Sequence, residues 1–195
     1  MSKYYIFYKP YLVMSQFSAE GDKQTLADYL TNIPRNIYPV GRLDYDSEGL
    51  LLLTDDKPFT HQLLDPKHAH ERTYYVQVDG AITEEAIQQL CRGVRIAIDG
   101  KQHTTKPAIA IRLDEEPTLP PRNPPIRYRK EIPTSWIALT LTEGKNRQVR
   151  RMTAAVGFPT LRLVRYAIGN VTIDGMQPGE YKLFSDEIKK KLMNR

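Results

Sequence analysis

With 195 residues, 41% of them hydrophobic and 26% charged, the chain can form one substantial core, or two small lobes sharing one, and is no disordered tail. A single cysteine, Cys91, excludes an internal disulfide framework and suits a reducing cytoplasm; no run approaches the roughly 18–20 apolar residues of a membrane helix, and MSKYYIFYKP lacks a signal-peptide pattern. The net charge of +5 is unevenly spread: residues 1–120 carry 13 basic and 17 acidic side chains, residues 121–195 carry 15 and 6, which makes the second part the candidate for polyanion binding. The alternative for that part is a solvated basic surface.

In chain order, KYYIFYK (3–9) reads as a strand closed by Pro10, TLADYL (25–30) as a short helix capped by Thr25, and NIYPVGRL (36–43) as extended chain. LLLLT (50–54) is too short and continuous to assign by period, and its neighbours favour a buried strand. Pro58 suits the start of a helix over PFTHQLLDP that Pro66 ends. RTYYVQVDG (72–80) has the clearest alternation, with Tyr74, Val76 and Val78 on one face and Tyr75 and Gln77 on the other. A helix over 83–93 has Thr83 as cap and Gly93 as stop, with Cys91 mid-helix on a packed face. VRIAIDG (94–100) and PAIAIRL (107–113) read as strands.

Residues 115–134, EEPTLPPRNPPIRYRKEIPT, hold six prolines with Arg122, Arg127, Arg129 and Lys130, and no regular element survives that density. Such a basic proline-rich loop is either an arm that contacts nucleic acid or a plain linker. SWIALTLTEG (135–144) is a strand, NRQVRRMTAAVG (146–157) a helix, 161–173 and 179–184 are again β-like, and SDEIKKKLM is a terminal helix. The sum is an α+β fold with a mostly antiparallel sheet, because many strands are joined by turns too short for a helical crossover.

Two stretches stand out chemically. At 100° per residue, Val149, Met152 and Val156 form an apolar stripe on the basic helix; Arg147 and Arg151 fall on the exposed face, and Arg150 lies on the border, able to reach inward. The second is GRLDYDSEGLLLLTDD (41–56), where Asp44, Asp46 and Glu48 precede four leucines and Asp55 and Asp56 follow. This turn is a hairpin needing polar residues, a metal site, or a single reactive carboxylate. A metal is disfavoured: there is no EF-hand spacing, no glycine-rich phosphate loop, and no third ligand beside His68 and His70. Serine chemistry lacks a G-x-S-x-G elbow. A carboxylate nucleophile survives, and it needs a cation such as Arg150 to keep it ionised in a dry cleft.

These residues carry a resemblance. GRLDYDSEGLLLLTDD resembles the catalytic motif of the pseudouridine synthases of the small-subunit rRNA type, the RsuA family, which runs G-R-L-D-x-[DN]-[ST]-x-G-L followed by three aliphatics and Thr. RTYYVQV resembles their second motif and EGKNRQVRRM their third. Within the family, PRNPPIRYRKEIPTSW and VGFPTLRLVRYAIG are similar to the large-subunit (23S) rRNA synthase E branch. Two departures are visible. The usual N-K-P-x-G opening appears as Tyr8-Lys9-Pro10-Tyr11-Leu12, and the chain starts almost directly with the catalytic fold, so no N-terminal S4-type RNA-binding module is expected.

The resemblance implies a pseudouridine synthase fold, with a mostly antiparallel, bisected mixed sheet flanked by helices, as one catalytic domain over 1–195 whose two lobes share the sheet. It implies isomerisation of a specific uridine in 23S rRNA, with no cofactor and no metal, by a cytoplasmic monomer that has no membrane partner. Asp44 then matches the catalytic aspartate, Arg150 its basic partner, and Tyr74 the aromatic that stacks on the base, with a core tyrosine as the alternative reading. Arg42 would help displace the target nucleotide, which must leave its stack to be reached. Arg72, Arg122, Arg127, Arg129, Lys145, Arg147 and Arg151 are candidates for the RNA backbone. Asp46, Ser47 and Glu48 are expected to shape the turn, and Asp55 and Asp56 to be turn or surface residues. The competing classes are a non-catalytic RNA-binding protein on the same fold, which would tolerate loss of Asp44, and a metal-dependent nuclease, which EDTA would silence.

Overall fold

The computed structural model describes residues 2–126, 132–184 and 187–193. The chain separates into two compact units, Met1–His70 with Arg165–Arg195, and Glu71–Val164. In chain order the first unit contributes β1 (Tyr4–Lys9), β2 (Tyr38–Pro39), β3 (Glu48–Thr54) and α1 (Lys57–Leu64). The second contributes β4 (Arg72–Asp79), α2 (Glu84–Arg92), β5 (Arg95–Ile98), β6 (Lys101–Thr104), β7 (Ile109–Leu113), β8 (Thr134–Leu141) and α3 (Gln148–Ala155). Strand β9 (Thr160–Ile168) belongs to the second unit up to Val164 and to the first from Arg165; β10 (Val171–Thr172), β11 (Tyr181–Phe184) and α4 (Glu187–Met193) complete the first.

In the first unit β1 pairs antiparallel with β11 on one side and β3 on the other, in register from Tyr4 opposite Thr54 to Lys9 opposite Gly49. All six residues of β1 and all seven of β3 are buried. That explains the unbroken leucine run: a strand covered on both faces has no polar face to show, so alternation disappears. Each of Leu50–Leu53, 0–3% exposed, contributes roughly 1.5–3 kcal/mol relative to an exposed side chain. Tyr5, Phe7, Leu51 and Leu53 pack with Leu26, Leu30 and Ile37 on one side of these strands.

In the second unit β8 lies between β4 and β7, both antiparallel to it, while β5 and β6 make a separate two-stranded hairpin. The expected face of β4 is buried as Tyr74, Val76 and Val78, and with Leu139, Leu141, Val149 and Met152 it forms the core. Thus the α+β class and the dominance of antiparallel pairing agree with the sequence.

Several local expectations are corrected. TLADYL makes only a single 3-10 turn, Leu26–Asp28, held by a capping box in which Ala27 N donates to Thr25 Oγ1 and Thr25 N to Asp28 Oδ2. Of 36–43 only Tyr38–Pro39 pairs as strand. KQHT, too polar to signal a strand, forms β6 through its register with β5. The basic helix starts at Gln148, not at Asn146, because Arg147 adopts a left-handed φ of 50°. Cys91 is the penultimate residue of α2, its Sγ 3.6 Å from the Ala110 carbonyl. Residues 115–126 and 132–133 carry no helix or strand; there the Arg162 guanidinium, 5% exposed, holds the loop by donating to Pro120 O at 2.8 Å.

Candidate active site

Asp44 is half-buried at the head of the turn that feeds β3, and Ser47 N closes the turn on Asp44 O at 3.0 Å. The backbone on either side of it is tied down. Ser15 Oγ accepts from Leu43 N at 3.1 Å and donates to Leu43 O at 2.8 Å, while Leu12 N donates to Tyr45 O at 2.9 Å. Behind the turn, Gly49 faces the β9 backbone so closely that a Cβ there would stand 2.3 Å from Arg165 O.

Charge is buried under this turn. Lys9 is 0% exposed, and its Nζ donates to Pro10 O at 2.9 Å and Val13 O at 2.7 Å. Burial pulls its pKa down from 10.5 to about 7; Glu48, Asp46 and Asp44 oppose that fall, and Arg165 adds to it. Glu48 and Arg165 are 2% and 5% exposed, and Arg165 Nε donates to Leu50 O at 2.8 Å. Sequence reasoning missed Arg165, and it placed Glu48 among turn-formers, whereas Glu48 is the first buried residue of β3. The one available signal was a lysine ending an aromatic strand that has no polar face.

The Asp55–Asp56 pair also divides. Asp55 is half-buried and accepts from Lys3 N and Asn36 Nδ2, as a turn residue does. Asp56 is no surface residue: it caps α1 through Phe59 N at 2.9 Å and accepts from Tyr4 Oη at 2.5 Å and Lys189 Nζ at 3.0 Å. Burial raises its pKa, but the bonds from Tyr4, Phe59 and Lys189 outweigh it and hold the carboxyl below its usual 3.8. The stability it lends is therefore complete above about pH 4 and is lost as pH falls through its depressed folded-state pKa. Asp56→Ala is expected to cost about 1–2 kcal/mol in urea unfolding at neutral pH, as loss of a cap does, and to shrink that difference in acid. An equal loss at all pH values would contradict the assignment.

The first unit also holds Arg42, exposed two residues before Asp44. The second unit carries the other described candidates. Tyr74 is 9% exposed and lies in the core cluster of that unit. Arg150 is half-buried with Nε shielded from solvent, at the edge of a buried stripe in which Gln148 and Thr153 join Val149 and Met152. The turn before α3 is pinned by Glu143, 8% exposed, whose Oε1 accepts from Gln148 Nε2 at 2.7 Å and Lys106 N at 2.8 Å, with His103 Nε2 at 3.3 Å from Oε2. Lys145 and Arg147 are exposed on this turn.

Arg151 departs from the expectation of an outward arginine. Its guanidinium donates to Ala97 O at 2.6 Å and Asn146 O at 3.1 Å, tying α3 to the β5–β6 hairpin. Arg147 precedes the helix and so does not share a helical face with Arg151. Arg72 is half-buried, and Arg122 Nε donates to Pro124 O at 2.9 Å within the proline loop. Arg127, Arg129 and Lys130 lie outside the described residues.

The family model for RNA pseudouridylate synthases matches residues 3–155, and the chain belongs to that family. Among relatives, it is 52% identical over 177 residues to the ribosomal large subunit pseudouridine synthase E of Xanthomonas campestris pv. campestris, covering 90% of this chain and 91% of that one. It is 48% identical over 180 residues to the protein of the same name from Vibrio parahaemolyticus, covering 92% and 73%. A crystal structure of a pseudouridylate synthase superposes with a TM-score of 0.81 at 28% identity, over 99% of this chain and 74% of that one. The resemblance seen in the three sequence motifs is thus borne out at the level of family and fold.

Proposed function

We propose that the protein isomerises one uridine of large-subunit (23S) ribosomal RNA to pseudouridine, with Asp44 as the reacting carboxylate. The observation that carries the reading is the similarity, over nine-tenths of the chain, to proteins named large-subunit synthase E. In the reaction the N1–C1′ bond breaks, C5 joins C1′, C5 gives up its proton and N1 takes one, so the nucleotide keeps its composition. Asp44 supplies an ionised carboxylate at the target sugar and base, on a turn whose neighbours are fixed by backbone hydrogen bonds. Arg150 serves as its cationic partner, Tyr74 packs against the base, and Arg42 fills the place the nucleotide leaves. Arg72, Arg122, Arg127, Arg129, Lys145 and Arg147 neutralise phosphates, whose contribution falls with added salt.

The test is a map of pseudouridines in 23S rRNA, by carbodiimide treatment and primer extension, from a strain lacking the gene and from one complemented with it. One stop should vanish in the first and return in the second. An unchanged map would refute the substrate assignment.

A further inference from the structure

We infer that Lys9 is a positioning residue for the reaction: its buried ammonium holds the 10–15 segment in the one shape that fixes the backbone on both sides of Asp44. The inference rests on Asp44 being the reacting carboxylate. Lys9 Nζ donates to Pro10 O and Val13 O, folding residues 9–13 over its own head group. Within that fold Leu12 takes a left-handed φ of 58°, which a leucine adopts only when its surroundings enforce it. The enforced shape presents Leu12 N to Tyr45 O and Ser15 Oγ to both backbone groups of Leu43. Residues 43 and 45 are therefore clamped from a single segment, closed at its start by the Lys9 amine and held further along by Met14 N donating to Gln24 O at 2.8 Å.

A neutral donor could satisfy two carbonyls, and burying a charge to do so is costly. The charge has a counterpart in its surroundings: Asp44 and Asp46 from the turn and Glu48 from β3 favour it, while Arg165 from β9 opposes it. Lys9 is thus the buried cation against three carboxylates of the Asp44 segment, with Arg165 the second. Burial brings the Lys9 titration to about pH 7. Below that pH the ammonium is present; above it the neutral amine still has two N–H groups for the two carbonyls but leaves the carboxylates facing one cation fewer, and the chemical step slows.

The experiment is single-turnover tritium release from C5-labelled 23S rRNA with the full chain, from about pH 5.5 to about 8.5, beside RNA affinity and thermal melting. For the wild type we expect the rate to fall on the alkaline side with a midpoint near 7. For Lys9→Met we expect RNA binding within about twofold of the wild type, a rate at least about tenfold lower at acid pH, and no alkaline limb. A residue that only supported the fold would leave that limb in place. A flat wild-type profile, an unchanged limb in Lys9→Met, or a Lys9→Met rate equal to the wild type overturns the inference. Should Lys9→Met not fold, Lys9→Gln, which keeps neutral N–H donors in place of the amine, decides: loss of the alkaline limb sustains the inference and a limb left in place ends it. Asp44→Asn, run alongside, separates the two levels. If it is active, the Asp44 reading itself fails; if it is inactive while Lys9→Met is normal, only the role of Lys9 does.

Discussion

Asp44→Asn is expected to lose pseudouridine formation by about 10⁴-fold or more, while its melting temperature and its affinity for RNA stay at wild-type values. The reason lies in how the turn is built. Four hydrogen bonds that shape it use its backbone atoms: Leu43 N and O to Ser15, Tyr45 O to Leu12 N, and Asp44 O to Ser47 N. Asparagine has the same shape and leaves all four untouched, so the substitution removes the anionic oxygen while the turn keeps these backbone ties. Tritium release from C5-labelled RNA reads the chemistry directly, and filter binding with circular dichroism reads the rest. Turnover retained by Asp44→Asn would remove the carboxylate from the mechanism; loss of folding would mean that the side chain is structural.

Gly49→Ala is expected to be the most damaging single-methyl change in the first unit. A Cβ at Gly49 would stand 2.3 Å from Arg165 O, 2.7 Å from Arg165 N and 2.9 Å from its carbonyl carbon. All three are backbone atoms of a strand, so no side chain can swing aside. The φ of +108° adds conformational strain for any L side chain. Strain and overpacking together should cost about 3–6 kcal/mol, seen as a drop in the urea midpoint. Activity should fall further than stability at permissive temperature, because β3 cannot move from β9 without carrying Glu48 and the Asp44 turn with it. Gly21→Ala is the control: it also has positive φ but nothing within 4 Å, and should cost about 1 kcal/mol. Equal losses for the two variants would show that backbone conformation, and not the approach of β9, decides.

Much of the fold was legible because it rests on short-range chemistry. The strand period of RTYYVQVD, the Thr83 cap with Gly93 as stop, and the apolar continuity of LLLLT each express a rule that acts within a few residues. Where local signals were weak, the elements differed. KQHT became a strand only by pairing with β5, and the basic helix lost its first two residues to the left-handed backbone of Arg147. Arg151 looked outward by helical geometry alone, yet the neighbouring hairpin offered it a carbonyl.

The candidate site divides in the same way. Asp44 could be singled out from its own stretch of sequence, because the turn residues and motif around it are contiguous. Nothing contiguous with Asp44 marks Arg165, which lies 121 residues further on and comes to the site where β9 passes Gly49. Nor does spacing reveal that Lys9, the last residue of β1, and Glu48, the first of β3, bury their charges beneath one turn. Sequence alone determined the fold class, the family and the carboxylate to suspect, since these depend on residue type and local order. Which charges are taken out of water, and which backbone atoms approach too closely for a side chain, were decided only by tertiary structure, because desolvation and close contact belong to groups that the chain brings together from afar.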